Sequence, residues 1–380
     1  MTQFSGPFST YSSDSASFSR PLKACISLPS FKKNIATIKS NIGSSEIIVV
    51  VKADAYGHGL LEISKAAGNH SLAVAVPEEL LVVREAGLKN RVWVLEGPFS
   101  LACLKLSKNV VWVVHSLWQI ELIEYALSHG TISELDVCIK LDTGMHRLGF
   151  VEAELFSLKV CLNRHPQINI VATMTHFSMS DYPGQESVCL QMKKFDELVK
   201  SCQLEDKRQT LANSGGIMNY AQSHRDWVRP GIMLYSGESS SENYKDLEPV
   251  MSFESAVIAL RSVKSGEPVG YGATWVAQKD SIIATVAVGY ADGYPRHAPN
   301  GTPVAIHLEA GDVQFAALVG RVSMDMITID VTDIKGVNLG DHVQLWGDLV
   351  PVGEVARLAG TISYELLTSV SKRVPRIYQY

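Results

Sequence analysis

Eight short apolar runs, most of them followed by a helix-like stretch, constrain this chain more than any other feature. They stand at 47–51, 72–76, 91–95, 110–114, 136–141, 168–174, 209–212 and 231–234. Runs of this length, rich in β-branched residues, read as strands buried on both faces. The intervals carry helical patterns, and Pro77, Glu78 and Glu79 open one with a proline and acids in its first turn. Strands joined by helical crossovers pair in parallel, and eight is the number that closes a barrel. The expected fold class is α/β, with an N-terminal (β/α)8 TIM-type barrel.

After about residue 247 the texture changes. Runs at 255–260, 281–288, 302–307, 313–318, 326–331 and 342–346 are strand-like and separated by turn sequences such as Pro-Asn-Gly. The spacing predicts a mainly β C-terminal domain, closed by short helices at 352–358 and 363–371. Two domains also suit 380 residues, which exceed the usual size of a single core. The expected division is a mobile Ser-rich tail at 1–20, a barrel at 21–247 and a β domain at 248–380.

Composition excludes several classes. A net charge of −5 leaves no basic footprint for nucleic acid. The six cysteines form no CxxC pair, which argues against a disulfide framework and a zinc site and fits a reducing cytoplasm. No apolar run approaches a membrane span, and the tail lacks the pattern of a secretory signal.

The first apolar run drives straight into Lys52, then into a turn holding Tyr56, Gly57 and Gly59. A lysine ending a buried strand must reach water or be made neutral and useful. Either it snorkels, or it serves carbonyl chemistry as the Schiff-base lysine of an aldehyde cofactor such as pyridoxal 5′-phosphate (PLP). Tyr56 offers a phenol where a phosphate could sit. Other polar residues fall at or after later strands: Lys140 and Arg147, His176, Ser214 and Tyr235. The C-terminal mouth of a barrel is where active sites are built, so these residues gather at one place.

With these residues in view, the chain resembles the alanine racemases, fold-type III PLP enzymes. The resemblance runs from Arg20 to Arg376 and rests on nine motifs in order. They are Val-Val-Lys-Ala-Asp-Ala-Tyr-Gly-His-Gly, Lys-Leu-Asp-Thr-Gly-Met-His-Arg-Leu-Gly, Thr-His-Phe, Ala-Asn-Ser, Val-Arg-Pro-Gly-Ile, Gly-Tyr-Gly-Ala-Thr-Trp, Gly-Tyr-Ala-Asp-Gly-Tyr, Gly-Arg-Val-Ser-Met-Asp and Ser-Tyr-Glu. By that resemblance Lys52 carries PLP, and Tyr56, Ser214, Gly231, Ile232 and Tyr364 hold its phosphate. Read alone, Ser214 is a helix N-cap. Arg229 would face the pyridine nitrogen and leave it unprotonated, because a guanidinium keeps its proton; His176 is a further cofactor-binding residue.

The resemblance also implies a two-base mechanism. Lys52 serves one face of the substrate α-carbon and Tyr271 the other, although Tyr271 read alone is a β-domain core tyrosine. In the family the tyrosine comes from the partner subunit, which implies a homodimer with shared active sites. Met324, also from the partner, would offer its backbone N–H to the substrate carboxylate, beside Arg147. Lys140 matches a lysine that is carbamylated in many members; carbamate, chloride or neither remain open here. Tyr290, Arg296 and Arg321, with Tyr364, would narrow substrate entry to alanine. The implied activity is interconversion of L- and D-alanine, supplying D-alanine for peptidoglycan. His146, Pro230 and Ser236 depart from frequent family residues. The rival readings are a broad-specificity or serine racemase of the same fold, a related decarboxylase or aldolase, and a PLP carrier. No cysteine follows Cys202 to serve a decarboxylase, His342 is isolated from any metal partner, and a carrier has no use for a second domain.

Overall fold

The computed structural model describes residues 20–238, 241–309 and 311–380. The tail expected at 1–20 therefore lies, apart from Arg20, outside the described residues. The chain forms two compact units. One holds residues 31–234 and 241–247; the other holds the described residues up to Ser30 together with 235–238 and 248–380.

In the chain order of strands, β1 (Lys23–Ser27) belongs to the second unit. The first unit is a closed parallel barrel of β2 (Glu46–Val50), β3 (Ser71–Val74), β4 (Val92–Val94), β5 (Val110–Val114), β6 (Leu135–Lys140), β7 (Ile168–Met174), β8 (Arg208–Thr210) and β9 (Trp227–Val228). Most of these strands form because they are runs of mainly buried, mainly apolar residues; all five residues of β5 are buried, whereas the short β8 reads Arg-Gln-Thr and is buried only at Thr210. The eighth strand departs from expectation. It lies at Trp227–Val228, and Ile232–Leu234 is a 3-10 turn. Pro230 has no N–H to give to a ladder. The N–H of Gly231 is taken by Ser214 Oγ at 2.9 Å. Tyr235, expected at the barrel mouth, is instead fully buried in the second unit.

The second unit is mainly β. Its sheet runs β13-β16-β15-β14-β17-β10-β1-β18, and a further β10–β13 pairing closes six of the strands into a ring. The ring strands are β10 (Met251–Val263), β13 (Ser281–Val286), β14 (Pro303–His307), β15 (Val313–Leu318), β16 (Ile327–Asp330) and β17 (His342–Trp346), and β18 (Arg376–Gln379) lies outside it beside β1. A small hairpin of β11 (Pro268–Val269) and β12 (Trp275–Val276) stands apart. The N-terminal strand β1 pairs antiparallel with β10 and parallel with β18. Residues 23–27 thus extend the β sheet and take no part in the barrel to which sequence order had given them. Among the described residues no helix is long and apolar enough to cross a membrane.

Candidate active site

Lys52 stands just past β2, at the start of an unusual turn. Ala53, Asp54, Ala55 and Tyr56 all have φ of 53–54°, so the chain makes one left-handed turn. For L-residues that conformation costs roughly 1–2 kcal/mol each. Several bonds oppose the cost. The N–H groups of Ala55 and Gly57 donate to Val51 and Ala53 carbonyls, at 2.8 and 3.0 Å. Asp54 Oδ1 accepts the Leu60 N–H at 2.7 Å. The buried His58 sets Nδ1 at 3.0 and 2.8 Å from the Ala55 and Tyr56 carbonyl oxygens. The left-handed turn brings the Tyr56 phenol to Gly231: a Cβ on Gly231 would lie 2.3 Å from Tyr56 Oη and 3.8 Å from Ser214 Oγ. Only glycine leaves that space open.

Ser214 is not the cap of its helix, Ser214–Asn219. Asn213 is, its side chain accepting the Gly216 N–H at 3.0 Å. Ser214 is freed to turn its hydroxyl to the other side, where it accepts from Gly231 and, at 3.4 Å, from Met233. Tyr56, Ser214, Gly231 and Ile232 thus form a corner of neutral hydroxyls and N–H groups at the barrel mouth. Such a set binds an oxyanion at short range without adding charge.

The same strand ends carry a group of cations that act on one another. Arg229 is buried; its Nη1 donates to Thr210 Oγ1 at 2.7 Å and its Nη2 to the carbonyls of Thr175 and Leu211 at 2.7 and 3.1 Å. Its Nε–H donates to none of the described residues, and no carboxylate pairs with it among them. Lys140 ends β6, buried. Burial first, then the charges of Arg229 and Arg147, lowers its pKa to about 8. Lys52 is lowered by burial and then by Arg147. His176 is held well below its usual value by burial, then by Arg229, Lys140, Arg147 and Lys52, so its ring is neutral. Arg147 itself is exposed, on a loop folded by Asp142, whose Oδ1 accepts the N–H groups of Gly144 and His146 at 3.0 and 3.1 Å. His146 has φ of 55°, in the left-handed region that glycine enters most easily, and its ring lies 3.1 Å from Asp142 Oδ2.

Sequence reasoning missed Glu79, Glu96 and His115 on the barrel. The charges of Glu96 and Glu79 act on Lys52. His115 Nε2 lies 3.1 Å from the Glu96 carbonyl oxygen. Glu96 and His115 follow β4 and β5, so the rule that found Lys140 and His176 could have found them.

The remaining expected residues stand on the β unit. Tyr271 opens a short turn between β11 and β12 and is 70 % exposed; it is not a core tyrosine. The Arg321 guanidinium lies against Gly272 in that turn. The Arg296 guanidinium sits over the Tyr290 ring at 5.9 Å. Tyr290 and Ala291 donate backbone bonds to Ser323 and Met324 at 3.1 and 3.0 Å, tying the two loops together. Gly289 allows that approach, since a Cβ there would meet the Met324 carbonyl oxygen at 2.2 Å. Met324 is exposed, and its N–H donates to no backbone group among the described residues. Tyr364 is on the helix Ser363–Ser369.

A carboxylate braces this region. Asp292, fully buried, accepts from Arg20 Nη1 and Nη2 at 3.0 and 3.2 Å, Arg373 Nε at 2.6 Å and the Gly289 N–H at 2.8 Å. Arg373 also reaches Asp325, and Arg20 the Asp325 carbonyl at 2.8 Å.

Comparison with known proteins agrees with the geometry. Residues 26–239 match the family model "Alanine racemase, N-terminal domain" and 250–378 match "Alanine racemase, C-terminal domain". An alanine racemase of Azoarcus sp. (strain BH72) is 41% identical over 361 residues, covering 94% of this chain and 99% of the relative. The crystal structure of the biosynthetic alanine racemase from Pseudomonas aeruginosa superposes with a TM-score of 0.87 at 38% identity, over 95% of this chain and 100% of that one. The alanine racemase of Bartonella henselae, solved with covalently bound pyridoxal phosphate, gives a TM-score of 0.85 at 30% identity, over 95% and 100%.

Proposed function

The chain belongs to the alanine racemase family of PLP-dependent isomerases, and on that premise we propose that it racemises alanine at the barrel mouth with Lys52 and Tyr271 as its two bases. The residues present fit the cofactor. The neutral corner of Tyr56, Ser214, Gly231 and Ile232, with the space that a Cβ on Gly231 would fill, suits a phosphate. The free Nε–H of the buried Arg229 suits a ring nitrogen that only accepts. In this reading Tyr364 adds its hydroxyl to the phosphate, and His176 lines the ring neutral. When bound, PLP supplies an aldehyde for the substrate amine and a conjugated ring that takes up the electron pair of the Cα–H bond.

The chain's own residues do the rest. Racemisation needs a proton acceptor on each face of one carbon. Lys52 can serve because burial and Arg147 depress its pKa, so its neutral amine is easier to reach than an ordinary lysine's. It acts on D-alanine, and Tyr271 acts on L-alanine. Arg147 and the Met324 N–H hold the substrate carboxylate. Tyr290, Arg296, Arg321 and Tyr364 narrow the entry, leaving room for a methyl side chain. Lys140, with its amine near pKa 8 among cations, is set to add carbon dioxide. The nitrogen bonds to the carbon, one proton leaves, and the resulting carbamate anion orients Arg147.

We further read the enzyme as a homodimer in which Tyr271 and Met324 complete the site of the other subunit. Their exposures of 70 % and 53 % support this, since each is held out of its own unit's core.

The observation that carries the proposal is Lys52, a depressed amine at the head of a strained turn beside an oxyanion corner. Its test is borohydride reduction of the PLP-loaded protein followed by peptide mapping. The label is expected on Lys52, with Lys52→Ala folded but inactive in both directions. A label on another lysine defeats the reading.

A further inference from the structure

We propose that Glu79 is a positioning residue for Lys52, its carboxylate tying the left-handed turn to the end of the adjacent barrel strand. This rests on the reading of Lys52 as the cofactor lysine. By sequence Glu79 is one more acid in the first turn of a helix, Pro77–Glu85. An acid at the third helical position ordinarily folds back onto its own cap residue, here Val76. Glu79 does something else. Its Oε1 accepts the Ala53 N–H at 2.6 Å, from a residue 26 positions away, and its Oε2 accepts the Ala75 N–H at 2.8 Å. Ala53 is the residue after Lys52 and the first of the left-handed turn. Ala75 is the residue after β3. Neither N–H has a backbone acceptor among the described residues.

One carboxylate therefore satisfies both donors and spans two elements of the mouth. The strain of the turn makes the tether consequential. Four residues at positive φ relax toward the ordinary region unless bonds hold them. A relaxed turn would swing the Lys52 side chain that precedes it. Glu79 rides on a helix that starts directly beyond β3, so the tether is anchored in rigid structure. The carboxylate also acts by charge. The charged groups that bear on Lys52 are Arg147, Glu96 and Glu79, with Lys140 coupled to it and His176 a neutral neighbour in the same group. Glu96 and Glu79 favour the ammonium; burial and Arg147 oppose it.

Glu79→Gln removes the charge and leaves an amide NH2 facing a backbone N–H, so one of the two bonds is lost. Glu79→Asp keeps the charge but is a methylene too short to span both donors. Three readouts separate positioning from simple helix capping. In apoprotein, amide exchange at Ala53 or Ala75 should quicken in both variants. The pH midpoint for reductive methylation of Lys52 in apoprotein, followed by peptide mass, should fall in Glu79→Gln and be restored in Glu79→Asp. In PLP-loaded enzyme, kcat should drop about tenfold or more in both directions for both variants, with KM for alanine nearly unchanged, as for a misplaced reacting group. Unchanged methylation midpoints together with wild-type kcat in variants whose amides do exchange faster would overturn the proposal, leaving Glu79 a cap. A borohydride label away from Lys52 would instead defeat the cofactor-lysine reading, and the apoprotein exchange and methylation results would stand apart from it.

Discussion

Residue by residue, the barrel mouth is a set of cations held out of water with little counter-charge. Lys140 shows the cost. Its folded pKa, about 8, lies below the ordinary lysine value of 10.5, so folding prefers the neutral amine. The penalty for protonated Lys140 is full below pH 8, shrinks as pH rises from 8 to 10.5, and vanishes above. Lys140→Met should therefore stabilise apoprotein at pH 7 by on the order of 2 kcal/mol, with the advantage fading toward pH 10. Urea unfolding of the two proteins at pH 7 and 9.5 checks this; an advantage that does not shrink with pH contradicts it. Arg229 is the opposite case, a buried cation with three acceptors already satisfied. Arg229→Gln strands two carbonyls and a hydroxyl, and should cost about 2–3 kcal/mol in the apoprotein. In the loaded protein it should also shift the cofactor's absorbance. A variant with wild-type stability and spectrum would remove Arg229 from the ring nitrogen.

At the scale of elements, two pieces of irregular backbone carry the site, and each is braced differently. The turn at Ala53–Tyr56 is strained, so a substitution that is harmful in an ordinary helix should help here. Ala53→Gly in a right-handed helix loses about 1 kcal/mol. At φ of 54° glycine has no Cβ to crowd, and the exposed Ala53→Gly should instead gain roughly 0.5–1 kcal/mol. A denaturation midpoint that falls would count against the left-handed turn. The loops of Tyr290 and Met324 are unstrained by comparison and depend on Asp292. Asp292→Asn leaves Arg20 and Arg373 sharing a weaker acceptor, and about 2 kcal/mol of stability should go. If these loops present the entry and the carboxylate-binding N–H, as proposed, KM for alanine should rise more than kcat falls. Steady-state kinetics of Asp292→Asn decide that.

At the scale of the whole molecule, the shared-site reading makes a definite forecast. Lys52 stands on the barrel unit and Tyr271 on the β unit. If each subunit lends Tyr271 to the other, Lys52→Ala mixed with Tyr271→Ala forms heterodimers with one site lacking both bases and one site intact. Two inactive proteins should then recover up to about half of wild-type activity per heterodimer, by counting sites under two-fold symmetry. A mixture shown to contain heterodimer yet inactive would place both bases in one chain.

Much of this molecule is local in origin and was legible from the residues. Most of the barrel strands are apolar runs whose burial leaves no other use for them, β8 with its Arg-Gln-Thr being an exception, and the polar residues after them mark the mouth. The β unit was legible from turn spacing in the same way. What failed depends on partners far along the chain. Residues 23–27 look like the start of the barrel, yet their backbone bonds go to β10 and β18, more than 200 positions away. The eighth strand was misplaced because neither Pro230 nor Gly231 donates an N–H to the ladder, although the Pro230 carbonyl still accepts from Val50, and this shows only once Ser214 is seen taking the Gly231 N–H. Lys-Ala-Asp-Ala-Tyr carries no sign of handedness, for alanine favours the right-handed helix. The left-handed turn is held because His58 and Glu79 bond its backbone and Asp54 ties it to Leu60 of the next helix. Residue types thus determined which chemistry the chain can hold. Hydrogen bonds between distant segments decided where Lys52 points, because a strained backbone keeps its shape only while its neighbours hold it.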